Sequence, residues 1–320
     1  MATPYPANNV ERDQWILDRR SPREALDPHK PSRFFVEKEP TSSSELVDVA
    51  TVFLTNRECP WRCVMCDLWR QTLVENVPVG AIPQQIDFAL SQLPKARVLK
   101  LYNSGSFFDS RAIPTEDHAA IATRANRFER LIVENHPALV DENCLRFRDL
   151  LTGRLEIAMG LETVHPEILP KLNKRMSLEQ FSKAANFLRT NKIDLRVFIL
   201  VQPPFMPAHE ALHWAQRSLD FAFDCGATAA TLIPTRTGNG AMETLAAQHE
   251  FSPPQIATLE AAVLYGLTLK RGRVFADLWD IDNVEGCRVC RNSRIAHLRG
   301  VNLTQIDTTT VTCKTCSPAN

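Results

Sequence analysis

Residues 51–69, TVFLTNRECPWRCVMCDLW, join an apolar, β-branched run to a polar loop that carries Cys59, Cys63 and Cys66. The run Thr51–Thr55 reads as a buried strand. The C-x3-C-x2-C spacing lets three thiolates converge on one inorganic centre, because soft sulfur donors suit zinc and iron–sulfur clusters. The count of three constrains the chain most. A [4Fe–4S] cube held by three cysteines keeps one iron open to a substrate or cofactor. A structural zinc site and three unrelated buried thiols are the competing readings.

The chain after this loop alternates strand and helix. Strands are predicted at 97–106, 129–137, 154–163, 194–204 and 228–238. Helices are predicted at 83–93, 114–128 (with Thr115 as its cap), 143–151, 165–172, 177–190, 209–226 and 255–269, and 272–281 reads as an extended coda. Counting the strand before the cysteines, the β–α unit occurs six times. Such alternation argues a parallel sheet with crossover helices, and the near-continuous apolar strand interiors require cover on both faces. A barrel and an open doubly wound sheet both fit. In either, ligands bind at the carboxyl ends of the strands, where the cysteine loop lies.

The 320 residues, 44% of them hydrophobic, suffice for one large α/β domain and a small appendage. Formal net charge is zero, so bulk electrostatics point to no nucleic-acid partner. No apolar run reaches about 18 residues and the start shows no signal pattern, which predicts a cytoplasmic protein without a membrane span. Nine cysteines in a reducing compartment argue for metal or cluster ligation, not disulfides. Cys144 and Cys225 fall in predicted helices and read as inert core residues. Residues 1–47 read as an irregular lead-in arm with one short helix near 10–19. Its basic residues Arg19, Arg20, Arg23, Lys30 and Arg33 read as a solvated face.

The cysteine loop resembles that of the radical S-adenosylmethionine (SAM) superfamily, whose signature is C-x3-C-x2-C after the first strand of a partial barrel. One departure is Met65, where an aromatic residue commonly lies against the adenine. The resemblance favours a partial (β/α)6 TIM-like barrel, implies a [4Fe–4S] cluster on Cys59, Cys63 and Cys66, and extends over about residues 48–240. It also implies roles at the strand ends. The turn Asn103-Ser104-Gly105-Ser106 stands where the family has a glycine-rich turn that meets the methionyl amino group of SAM; only Gly105 keeps the glycine pattern. Glu134-Asn135-His136-Pro137 resembles the E-x-x-P element of the coproporphyrinogen-type, methylthiotransferase-type and elongator-acetyltransferase branch, with Glu134 for an ammonium group and His136 as a loop residue. Glu162, in GLET, is placed for the ribose hydroxyls. Lys174 matches a basic position that approaches the methionyl carboxylate, and Arg175 is its neighbour. Lysine lacks the bidentate arginine fork, so either residue fits. Arg236 lies in a Gly-rich loop on the same edge and suits a carboxylate or phosphate.

Two further pairs, Cys287-x2-Cys290 and Cys313-x2-Cys316, suggest a four-sulfur site for zinc or a second iron–sulfur cluster. Arg288, Arg291, Arg294 and Arg299 lie between them, with Asp307 the single acid from 287 to 316, so an RNA contact and a solvated surface both fit. The chain therefore divides into the arm 1–47, the barrel 48–240, a helix and extended segment 241–284, and a four-cysteine module 285–320. The resemblance implies reductive cleavage of SAM to a 5′-deoxyadenosyl radical that takes hydrogen from a substrate, with a reducing donor such as flavodoxin or ferredoxin. The compact layout is similar to the radical subunit of archaeosine synthase, which implies a tRNA or modified nucleoside as substrate. A small metabolite or peptide substrate, and a non-catalytic zinc-binding interaction protein, are the other readings.

Overall fold

The apolar runs after Leu46 become seven parallel strands, with one further strand antiparallel at the edge. The computed structural model describes residues 4–23, 25–307 and 311–316. Its first half comprises α1 (Asn9–Leu17), β1 (Arg33–Pro40), β2 (Leu46–Phe53), α2 (Ala81–Gln92), β3 (Val98–Tyr102), α3 (His118–Ala125), β4 (Arg130–Glu134), α4 (Glu142–Arg148) and β5 (Arg154–Glu162). Its second half comprises α5 (Ile168–Lys171), α6 (Leu178–Thr190), β6 (Asp194–Val201), α7 (Ala211–Asp224), β7 (Ala229–Pro234), α8 (Ala241–Ala247), α9 (Ile256–Thr268), β8 (Arg273–Ala276) and α10 (Arg291–Thr304).

The strands lie in chain order, β1 to β8. A doubly wound sheet reverses order at a switch point; this one does not, and its edges approach each other. Arg273 of β8 donates to the Pro40 carbonyl of β1 at 3.3 Å, and Arg196 of β6 reaches Glu39 of β1 at 2.8 Å. The sheet is thus a curled partial barrel, the expected (β/α)6 unit with β1 and β8 added at its edges.

Buried charge fills the lumen where the parallel strands begin. Lys100 pairs with Glu37 at 2.8 Å and with Glu39; Arg196, Arg130 and Arg273 converge on Glu156 at 2.7, 2.5 and 3.2 Å. Deleting one partner of such a buried pair costs about 3–5 kcal/mol. This plug leaves the opposite, carboxyl end for chemistry. There an apolar cluster including Trp15, Ile16, Val64, Leu172, Met206 and Met242 packs α1 and α8 around the cysteine loop, with Met65 against it.

Three readings need correction, and a fourth, the extended coda, is borne out and gains a place in the sheet. Residues 33–40 are a strand and not irregular arm, because Glu37 and Glu39 point inward to Lys100, which reverses the usual polar-out pattern. The coda contributes the parallel strand β8. Thr115 caps nothing: Thr115–Asp117 form a 3-10 turn, and Asp117 accepts from the Gly80 amide at 2.7 Å. Cys144 is buried as expected, but Cys225 is only half-buried, 3.5 Å from the Ser182 hydroxyl.

Candidate active site

From Leu54 to Asp67 the loop after β2 belongs to no helix or strand, so side chains elsewhere must satisfy its backbone. Gln85 of α2 accepts from the Thr55 amide at 2.8 Å and donates to the Thr55 carbonyl at 2.7 Å. Val64, fully buried, donates its amide to the Leu172 carbonyl at 3.0 Å. Asn173 donates to the Arg62 carbonyl at 2.7 Å, and Asn239 to those of Val64 and Cys66 at 2.8 and 3.1 Å. Trp61 stacks on His136 with centroids 3.7 Å apart. Burial pushes the Cys59 thiol up to about 11 and those of Cys63 and Cys66 to about 12, while the Lys174 ammonium pulls Cys59 and Cys63 down. Metal loading must displace those protons.

Asn173 and Asn239 were missed in the sequence, where each looks like an ordinary turn residue. Their only signal is position, inside LNKRMS and inside the Gly-rich loop after the sixth predicted strand. Replacing Asn239 by alanine leaves two loop carbonyls without their donor, each bond being worth about 0.5–1.5 kcal/mol. We expect faster amide exchange from Val64 to Cys66 and lower iron retention, with the melting temperature of the barrel little changed. Wild-type exchange across that stretch would show that Asn239 does not hold the loop.

The strand ends bring most of the expected residues beside this loop. Glu134 accepts from the amides of Asn103 and Ser104 at 2.8 and 3.1 Å, which shapes the turn. Burial pushes Glu134 up to about 7, against those two amides. Gly105 lies close to Cys59: a Cβ built on it would stand 3.4 Å from that of Cys59, an ordinary contact. Lys174 donates to Glu162 at 2.7 Å, and Gly160 leaves room for that pair. Arg175 pairs with Asp13 of α1. Arg236 pairs with Asp277 just beyond β8. His136 accepts from the Ala138 amide at 3.1 Å, so its Nε2–H donates to the Lys174 carbonyl at 3.1 Å. Burial lowers it to about 3, which keeps it neutral. The Asn103 side chain is fully buried, and neither of its amide atoms has a partner. Such a group costs about 1–3 kcal/mol unless a ligand satisfies it.

Cys287, Cys290, Cys313 and Cys316 bring their four sulfurs within 4.8 Å of one another. Arg294 donates to the Cys290 sulfur at 3.3 Å and also pairs with Glu260 of α9, and His297 contacts Glu260 at 2.7 Å. Arg291 donates to the carbonyls of Val284 and Ile281 at 3.0 Å each. The basic face expected on this module therefore loses Arg291 and Arg294 and keeps the exposed Arg288 and Arg299, with Lys314 exposed nearby in the chain. At the carboxyl end of α10, Asn302 and Gln305 line the free edge of β8. Asn302 exchanges bonds of 2.8 Å with both backbone groups of Ala276, and Gln305 exchanges bonds of 2.6 and 2.9 Å with those of Val274.

Among solved structures, Elp3 of Methanocaldococcus infernus superposes with a TM-score of 0.52 at 15% identity, covering 68% of this chain and 59% of that one. SuiB of Streptococcus suis bound to S-adenosylmethionine gives a TM-score of 0.50 at 12% identity, covering 74% of this chain and 47% of that one. The chain thus spans less than two thirds of either structure. The fold is that of the radical SAM enzymes. By sequence the chain is similar to archaeosine synthase subunit beta of Methanosarcina acetivorans, 25% identical over 284 residues and 82% of each chain. An uncharacterized protein of Methanocaldococcus jannaschii is 24% identical over 248 residues, 72% of this chain and 68% of that protein. No protein-family model matches. Among the described residues, no helix is long and apolar enough to cross a membrane.

Proposed function

We propose that the protein cleaves SAM reductively at a [4Fe–4S] cluster held by Cys59, Cys63 and Cys66, and acts on a tRNA base or modified nucleoside. The observation that carries this reading is the unpartnered Asn103 amide, buried in the turn that Glu134 shapes and that lies beside Cys59 at Gly105. When bound, the cluster and SAM supply one-electron chemistry that ends in hydrogen abstraction from the substrate. The chain's own part is to bind and orient. Glu134 suits an ammonium, Glu162 hydroxyl groups, and Lys174, paired with Glu162 and acting electrostatically on Cys59 and Cys63, a carboxylate. Arg175, tied to Asp13, is the weaker candidate of the basic pair. The tRNA assignment rests on similarity to archaeosine synthase subunit beta. At the C-terminal cysteines, sulfur separations of 3.9 Å (Cys287–Cys313) and 3.4 Å (Cys290–Cys316) support one zinc ion. Tetrahedral Zn–S bonds of about 2.3 Å set sulfurs about 3.8 Å apart, whereas a cube spreads its thiolates farther.

An Asn103→Leu variant tests the reading with two opposite signs. Removing an unsatisfied buried amide should leave the ligand-free protein as stable or more so. SAM affinity, measured by calorimetry on the anaerobically reconstituted protein, should fall about tenfold or more. Unchanged affinity would remove Asn103 from the SAM site. Comparing small RNAs, peptides and metabolites from cells with and without the gene tests the substrate.

A further inference from the structure

The arm that reads as solvated in the sequence folds back onto the cysteine loop. Glu58, adjacent to Cys59, takes Arg20 at 2.7 Å, Arg62 at 3.1 Å and also Arg23. One carboxylate facing three guanidinium groups leaves an excess of positive charge beside the thiols. Arg20 is the most enclosed of the three, its side chain 7% exposed against 22% and 23% for Arg23 and Arg62. Its guanidinium lies over the Trp69 ring, 4.6 Å from the centroid. Its Nε–H is buried and has no partner. Cys59, Cys63 and Cys66 all act electrostatically on Arg20, whose pKa burial lowers to about 10. It therefore remains charged at neutral pH. A fixed, poorly hydrated cation near sulfur ligands moves a cluster's potential upward, since the reduced form carries one more negative charge, and the free Nε–H leaves a donor for that environment. Poor solvent access strengthens the effect.

We propose that Arg20, a positioning residue outside the barrel, raises the reduction potential of the cluster on Cys59, Cys63 and Cys66 and so eases entry of the electron. The inference rests on the radical SAM reading of that loop.

The test is a potentiometric titration of the reconstituted protein with dithionite as one-electron reductant, followed by electron paramagnetic resonance, with iron counted in parallel. In Arg20→Gln, Glu58 keeps Arg23 and Arg62, so the loop should hold its iron. The ratio of reduced to oxidised cluster at fixed potential should fall about tenfold, a shift of about 59 mV for one electron. Arg20→Lys, which keeps the charge without the Nε–H, should fall by less. Glu58→Gln, which removes the opposing charge, should shift the potential upward. If Arg20→Gln loses its iron, the upward shift in Glu58→Gln decides alone. Potentials equal to wild type in the iron-retaining variants would overturn the inference while leaving the radical SAM reading intact. A wild-type protein that takes up no cluster would overturn both.

Discussion

Cys63→Ala is expected to abolish 5′-deoxyadenosine formation while the far-ultraviolet circular dichroism stays that of the wild type. Cys63 sits on a loop outside the strands, and the loop's anchors survive the change: Val64 remains buried, and Asn239 still holds the carbonyls of Val64 and Cys66. Loss of one thiolate from a three-cysteine cube leaves two irons without protein ligands, so the cluster becomes labile. Cys59→Ala and Cys66→Ala should behave alike. The checks are iron per chain after anaerobic reconstitution and 5′-deoxyadenosine by chromatography with dithionite as reductant. Product formed at the wild-type rate by Cys63→Ala would end the radical reading, whereas a collapsed spectrum would show that the loop supports the fold.

The barrel was legible because its strands are continuous apolar runs separated by amphipathic helices, and that pattern has few architectures open to it. The edge strand β1 was not, since its inward residues Glu37 and Glu39 are charged and their partners, Lys100 and Arg196, lie 61 and 157 positions from Glu39. The site divides in the same way. The cysteines stand out by spacing, Glu134 and Glu162 by their place at strand ends, and Lys174 only by the family resemblance of the turn that follows α5. Asn173 and Asn239 act through carbonyls of a loop far away in the chain, a relation that no local pattern encodes. Arg20 and Arg23 are similar: a basic stretch is usually solvated, and only the folded arm shows that they surround Glu58.

Removing the thiolates of the C-terminal cysteine group is expected to open the side of the barrel without emptying the cysteine loop. Four thiolates close a site and leave no position for chemistry on the metal, so its effect must pass through the elements it joins. Cys290 immediately precedes α10, which carries Asn302 and is followed at once by Gln305, and the amides of both bond the backbone of β8. Those four side-chain bonds substitute for a missing neighbouring strand. At about 0.5–1.5 kcal/mol each, their loss would cost roughly 2–6 kcal/mol. In a Cys287→Ala, Cys290→Ala protein, amide exchange at Val274 and Ala276 should accelerate and the melting temperature should fall. Iron at Cys59, Cys63 and Cys66 should be retained, and uncoupled 5′-deoxyadenosine should still form. Metal analysis reads the occupant: loss of about one zinc per chain supports the single-ion site, and loss of about four irons supports a second cluster. Loss of neither would mean that the four cysteines form no metal site. A variant with Asn302→Leu and Gln305→Leu separates the metal from the edge it protects. It should show the same fast exchange at Val274 and Ala276 while keeping its metal, because the cysteines are untouched. If its exchange stays slow, α10 does not shield β8 through these amides, and the coupling between metal and barrel must run instead through Arg294, His297 and Glu260.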